Sequence, residues 1–313
     1  MSGRIFESLP VLREAELRSL VSVKEAIAVV RQAYRDYGNE RLVLSQPESM
    51  SLKAEQTSFK LKGGRSPSHG TAGFRLVAQG GGDMLSHCIV LDAATGAPRG
   101  LVDETWLHRL RTAATAAVAA EWLAAPGAKR LSIVGAGRIA DELPAAFREI
   151  FALEDIRVAA RRLESARAYA ERHGVTAVES VETAMDGADI VVVITAANAP
   201  VIEGVQIAPG ATVLGLGGGA EIGASALDIC DRFVVDDFEF AAVLGSVAGW
   251  IAGGRPRLAV HQRLSADIGE IAIGTQQGRT TPDERVLAII QGMASCDVAL
   301  ASFALERAGE EHR

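Results

Sequence analysis

The middle of the chain alternates short apolar runs with amphipathic stretches. LSIVG (131–135), IRVAA (156–160), ADIVVVIT (188–195), ATVLGLG (211–217) and RFVVDD (232–237) are each of strand length and bounded by turn residues. Helical patterns cover 139–151 and 164–173 between them. Continuous apolar strands that alternate with helices predict a parallel sheet covered on both faces, the doubly wound Rossmann arrangement of an α/β protein.

The flanks read differently. Ser22 and Glu25 have capping-box spacing, and Ala26, Val29, Val30, Ala33 and Tyr34 recur at helical intervals, which predicts a helix near 24–37. From 45 to 100, alternating segments such as FKLK and FRLV are separated by GGRSPSHGTAG and QGGGD, so antiparallel strands joined by loops are expected, with 63–73 as one of the loops. HCIVLDAATGAPRGLV predicts a hairpin turning at 94–96, and the Ala-rich run 112–123 a helix able to pack closely. The stretch 286–307 reads as one long helix interrupted at Gly292 that returns to the first domain. The expected division is therefore 1–115 with 290–313 as a smaller α+β domain, and 116–289 as the Rossmann domain.

Composition removes several function classes. The 313 residues are 48% hydrophobic and 23% charged, and a net charge of −7 without a Lys/Arg stripe argues against nucleic acid. The N-terminal sequence lacks a secretory pattern and no apolar run is long enough to span a bilayer, so a cytoplasmic protein without a membrane partner is expected. Three scattered cysteines and six singly placed histidines give neither a disulfide framework nor metal-ligand spacing, and no metal is expected.

Chemistry concentrates where LSIVG runs into Gly135, Ala136, Gly137, Arg138, Ile139 and Ala140. This GxGxxA sequence lies after a strand and opens a helix, the context in which peptide N–H groups bind a pyrophosphate. At the end of the next strand stand Arg161 and Arg162 with no acid, so a 2′-phosphate and hence NADP(H) is favoured, with NAD(H) possible. Thr195 and Ala196, past the fourth strand, are placed to line the nicotinamide ribose, or else form an ordinary loop.

RTAATAAVAAEWLA (111–124), IVGAGRIA, ADIVVVITAANAPVIEG (188–204) and IGEIAIGTQQGR (268–279) together resemble the ornithine cyclodeaminase and mu-crystallin family, which includes archaeal alanine dehydrogenases and ketimine reductases. The resemblance implies a homodimer whose N-terminal segment and last helix form a substrate and dimerisation domain. It implies that Arg111 holds the substrate carboxylate and that Thr112 contacts cofactor phosphate. A guanidinium suits bidentate capture of a carboxylate.

Three positions depart from the family pattern. Arg75 stands where the family has a lysine that protonates or polarises the imine, and arginine keeps the charge but donates no proton near neutral pH. Ser49 replaces an arginine that follows a QP pair, and Ala220, with Glu221 adjacent, replaces the catalytic aspartate. Lys62 shares a strand face with Lys60 and is a candidate stand-in for the lysine, the alternative being two exposed strand lysines. Reduction of a preformed cyclic imine asks least of these residues, so an NAD(P)H-dependent imino- or amino-acid oxidoreductase is the expected function. Ornithine cyclodeamination, and NADP(H) binding without catalysis, stand as alternatives.

Overall fold

The computed structural model describes residues 9–40, 43–47, 49–80 and 83–311. The chain divides into two compact units, Met1–Thr112 with Met293–Arg313, and Ala113–Gly292. The first unit opens with β1 (Val11–Leu12), α1 (Glu14–Leu20) and α2 (Val23–Asn39), followed by β2 (Met50–Lys53), β3 (Thr57–Ser66), β4 (Thr71–Gly80), β5 (Asp83–Asp92) and β6 (Pro98–Asp103). These strands form one sheet in the order β1-β6-β5-β4-β3-β2, antiparallel except for the β1–β6 pair. Helix α3 (Glu104–Leu123) then leaves the sheet, and the chain passes into the second unit partway along it.

The second unit contains β7 (Arg130–Val134), α4 (Leu143–Ile150), β8 (Asp155–Ala159), α5 (Leu163–His173), β9 (Thr176–Ala177), α6 (Val181–Met185), β10 (Ile190–Val193), β11 (Thr212–Gly215), α7 (Ala224–Ile229) and β12 (Arg232–Val235). Next come α8 (Phe238–Ala241), α9 (Gly245–Ala252), α10 (Arg257–Gln262), β13 (Leu264–Asp267), α11 (Ile268–Ala272) and β14 (Val286–Ile289). All eight strands run parallel in the order β13-β12-β14-β11-β10-β7-β8-β9. This is the doubly wound sheet, with the order reversing at β7. Its central strands are buried along their whole length, save Arg130 at the start of β7, as continuous apolar runs require. The last helix, α12 (Ala294–Glu311), belongs to the first unit.

Three elements differ from the sequence expectation. Residues 286–307 are not one helix: Val286–Ile289 forms β14 between β11 and β12, and Gly292, at φ +82°, turns the chain before α12. A four-residue apolar run has no period to tell strand from helix, and two neighbouring strands with unpaired edges decided it. Helix 139–151 splits into a 3₁₀ turn at Arg138–Ala140 and α4, with Pro144 in the first turn of α4. The expected loop 63–73 is mostly strand, because β3 and β4 stay paired to Ser66–Thr71 and leave only a turn at Pro67–Gly70.

The glycines that made 63–73 read as a loop form a flat strip for a helix instead. Gly64, Gly73, Val90 and Gly100 make one row across β3 to β6. Helix α12 lies on that row so closely that a Cβ on Gly64 would be 2.5 Å from the Ser295 nitrogen. Gly64→Ala should therefore lower stability by about 1–3 kcal/mol, whereas Gly309→Ala, in α12 with open space around it, should stabilise slightly. Thermal melting of the two variants beside the wild type checks the pair, and equal melting temperatures would contradict the close packing.

Candidate active site

In the second unit the chain leaves β7 through Gly135, whose φ of +120° and 2.2 Å approach of a would-be Cβ to the Ile194 carbonyl oxygen exclude any side chain. Its N–H donates to the Ala159 carbonyl at 2.8 Å, so the turn is pinned between the ends of β8 and β10. Gly137 is exposed, and a Cβ there would meet nothing within 4 Å. The backbone at Gly137 is thus open to close approach, as a diphosphate lying over the loop requires. Arg138 is exposed and Ile139 half-buried, while the Tyr169 hydroxyl donates to the Ala140 carbonyl at 2.6 Å and fixes the far side of the turn. Arg161 and Arg162 are both exposed just past β8, with Arg162 at the N-cap of α5.

Past β10, the Thr195 N–H and hydroxyl both donate to Glu221 Oε2, at 2.7 and 2.8 Å, and Ala196 is exposed. The Gly217 N–H donates to Glu221 Oε1 at 2.6 Å. Burial pushes the Glu221 carboxyl above its ordinary range against the pull of these donors. Its carboxylate therefore braces the Thr195 and Gly217 loops, while the Cβ of the adjacent Ala220 packs against Gly249.

In the first unit, register places Lys62, Arg75, Cys88 and Val102 in one row beside the glycine strip, on the face that α12 covers. Arg75 is buried, and its Nε lies 2.9 Å from both Glu104 Oε2 and the Ser86 hydroxyl, which in turn donates to Glu104 Oε2 at 3.2 Å. Arg111 is buried as well. Its Nε donates to Asp297 Oδ1 at 2.6 Å and its Nη2 to His108 Nδ1 at 2.9 Å. Because a guanidinium can only donate, Nδ1 must accept, and the neutral ring carries its hydrogen on Nε2. Burial, reinforced by the Arg75 and Arg111 charges, pushes the His108 pKa down to about 3, so the ring stays neutral.

The two carboxylates of this cluster differ in kind. Burial and the negative charge of Asp297 push Glu104 up to about 7, against the pull of Arg75 and Arg111. Asp297 is equally buried, but the Arg111 and Arg75 guanidiniums outweigh that burial and hold it well below the ordinary carboxylate range. Asp297 Oδ2 is buried without a hydrogen bond, so its ionised form rests on the guanidiniums. Cys88 stays a thiol, since burial and then the two carboxylates push its pKa far up. Lys62 lies opposite Arg75 in the register and is half-buried; Thr112 is buried, and its hydroxyl donates to the His108 carbonyl at 2.8 Å.

Of the residues singled out from sequence, Arg75, Lys62 and Arg111 come together in the first unit. Gly135, Gly137, Arg138, Ile139, Arg161, Arg162, Thr195 and Ala196 gather at the carboxyl edge of β7, β8 and β10 in the second. Sequence reasoning missed Glu104, His108 and Asp297. Glu104, His108 and Arg111 share one face of α3 at i, i+4 and i+7, a signal hidden because the helix was read as starting at 112. Asp297 gave only a charge inside an apolar helix, SCDVALASFAL.

The parallel sheet with its glycine turn at the strand-order reversal defines a Rossmann α/β chain that carries a second, antiparallel unit with a buried guanidinium–carboxylate cluster. The profile of the ornithine cyclodeaminase/mu-crystallin family matches residues 11–312, and the chain belongs to that family. An alanine dehydrogenase from Archaeoglobus fulgidus is 27% identical over 316 residues, covering 95% of this chain and 94% of that protein. Two solved structures share the fold. Thermococcus litoralis Delta(1)-pyrroline-2-carboxylate reductase in complex with NADH and L-proline superposes with TM-score 0.88 at 23% identity, covering 97% of this chain and 98% of that one. An archaeal alanine dehydrogenase dimer with bound NAD superposes with TM-score 0.87 at 24% identity, covering 97% of each chain.

Asp297→Asn should cost about 3–5 kcal/mol, the range for unpairing a buried charge, here that of Arg111. Because the native carboxyl titrates lower than the unfolded one, this stabilisation is present above the ordinary carboxylate pKa of about 4 and is lost as pH falls below it. Melting temperatures of wild type and variant should thus lie far apart at pH 7 and converge toward pH 3, and a gap independent of pH would contradict the charge pairing.

Proposed function

We propose that the protein is an NAD(P)H-dependent reductase of small imino acids, working in reverse as an amino-acid dehydrogenase. The observation that carries this is the pair of buried guanidiniums. Each is gripped at Nε by its own carboxylate, and the Nη groups of Arg75 make no hydrogen bond to any described residue. Donors preset in this way suit the carboxylate of an imino or amino acid. The relatives named above act on, or are bound to, such compounds.

The glycine turn fits a dinucleotide, for which the open backbone at Gly137 and the close approach at Gly135 are the marks. Gly135 and Gly137 with Arg138 and Ile139 would hold the diphosphate, and Thr195 and Ala196 the nicotinamide ribose. A nicotinamide bound there supplies or accepts the hydride. Arg111 and Arg75 orient the substrate by its carboxylate; neither exchanges a proton near neutrality. Lys62, opposite Arg75, is the cation placed to polarise the imine nitrogen, and Thr112 supports Arg111 through the helix turn they share. Cyclodeamination gains no support from Ala220 and the inward-turned Glu221.

Arg161 and Arg162, exposed and without a competing acid, favour the 2′-phosphate of NADP(H). Purified protein with NADPH and a cyclic imino acid such as pyrroline-2-carboxylate should lose the absorbance of the reduced nicotinamide. NADPH should bind more tightly than NADH, a margin that Arg162→Ala narrows. No turnover with any imino acid would overturn the function, and tighter NADH binding would overturn the cofactor preference.

The uncovered face of the first unit's sheet bears Met50, Leu52, Phe74, Leu76 and Leu85, all exposed and brought into adjacent rows by the strand register. An apolar sheet face of this extent suits an isologous contact with a second copy of the chain, and one structural relative is a dimer. Light scattering should give twice the chain mass, and Leu76→Glu should shift it toward the monomer; a monomeric wild type would remove the proposal.

A further inference from the structure

We propose that Glu104 is the proton-exchanging counter-ion of the substrate carboxylate: it neutralises Arg75 in the free protein and takes up one proton from solvent when an imino-acid carboxylate pairs with the two arginines. This rests on the carboxylate-binding role given above to Arg75 and Arg111.

Charge balance in a dry space carries the argument. The groups facing Glu104 are Arg75 from β4, Ser86 and Cys88 from β5, His108 and Arg111 from α3, and Asp297 from α12. The two arginines and two carboxylates cancel, His108 is neutral, and Cys88 is a thiol. Lys62 stands at the rim of this group, half-buried beside Arg75. A substrate carboxylate adds a third negative charge to residues that are at most a few per cent exposed, namely Arg75 at 4%, Arg111 at 2%, Glu104 and Asp297 at 1%. Like charges crowded together oppose one another strongly when water is excluded. Taking up a proton at one carboxyl relieves that repulsion.

The geometry selects which carboxyl. Asp297 takes a 2.6 Å charge-assisted hydrogen bond from Arg111 Nε, so neutralising it would unpair Arg111, the anchor itself. Glu104 is paired through one oxygen only, and Oε1 accepts no hydrogen bond from any described residue. Its neighbour Ser86 carries a hydroxyl that donates to the carboxylate now and can accept from the carboxylic acid after proton uptake, so Glu104 has a hydrogen-bond partner in either state. Burial already raises Glu104 to about 7, so a nearby added anion suffices to protonate it at neutral and mildly basic pH. Arg75, released from its internal partner, then turns its charge to the substrate.

Calorimetry with pyrrole-2-carboxylate, a planar and unreactive cyclic carboxylate, tests this on the full-length protein saturated with NADP⁺. At pH 8, titrations in buffers of differing ionisation enthalpy should show more than roughly half a proton taken up per carboxylate bound, since Glu104 starts largely ionised there. The dissociation constant should rise up to about tenfold per pH unit above that point. Glu104→Gln, neutral at all pH values, should bind with no uptake and a flat pH profile; Ser86→Ala, which removes the partner of the carboxylic acid and leaves the Arg75–Glu104 pair in place, should lower the uptake without abolishing it. Binding without uptake in the wild type, or uptake that persists in E104Q, overturns the assignment while leaving the carboxylate site intact. No binding of pyrrole-2-carboxylate to the wild type overturns both this inference and the function it rests on.

Discussion

The first unit is organised by the need to pair two guanidiniums with two carboxylates inside a volume that holds little water. An unpaired buried charge costs several kcal/mol, a large share of the stability of any domain. Four segments distant in sequence must therefore meet: β4 supplies Arg75, β5 Ser86, α3 Glu104 and Arg111, and α12 Asp297. The glycine strip of Gly64, Gly73 and Gly100 serves this meeting, because α12 brings Asp297 to Arg111 only if its backbone comes down onto the sheet. Polar chemistry and close packing thus enforce the same arrangement.

The second unit follows a simpler logic. Its eight strands run parallel, so the loops where a ligand of such a sheet binds lie at their carboxyl ends. Glu221 shows how the loops at that edge are held: one buried carboxylate collects the N–H groups of Thr195 and Gly217 and the Thr195 hydroxyl, and so ties the ends of β10 and β11 together. The position next to it is Ala220, which carries no ionisable group. In the proposed reaction, proton exchange accordingly falls to Glu104 in the first unit.

By resemblance, Arg75 stands where the family has a lysine, and the two side chains differ in what they can supply. A lysine can be both a charge and a proton donor, whereas arginine is only a charge. That charge is balanced by Glu104, a residue whose protonation is open to change near neutrality. In the proposed reaction, Arg75 and Glu104 divide the properties that one lysine combines.

The sequence by itself determined the elements that local rules govern. Strand-length apolar runs fixed the parallel sheet, the Ser22–Glu25 spacing fixed the start of α2, and the glycines at 135–137 marked the tight turn that follows β7. Those signals lie within a few residues of one another, so no distant contact is needed to read them. The tertiary structure alone decided that Val286–Ile289 is a strand, since the choice was made by the open edges of β11 and β12. It alone decided that the glycines of 63–73 lie under a helix, and that Arg111 is met by an aspartate 186 residues further along. Buried charges choose partners by proximity in space, and no spacing along the chain records that.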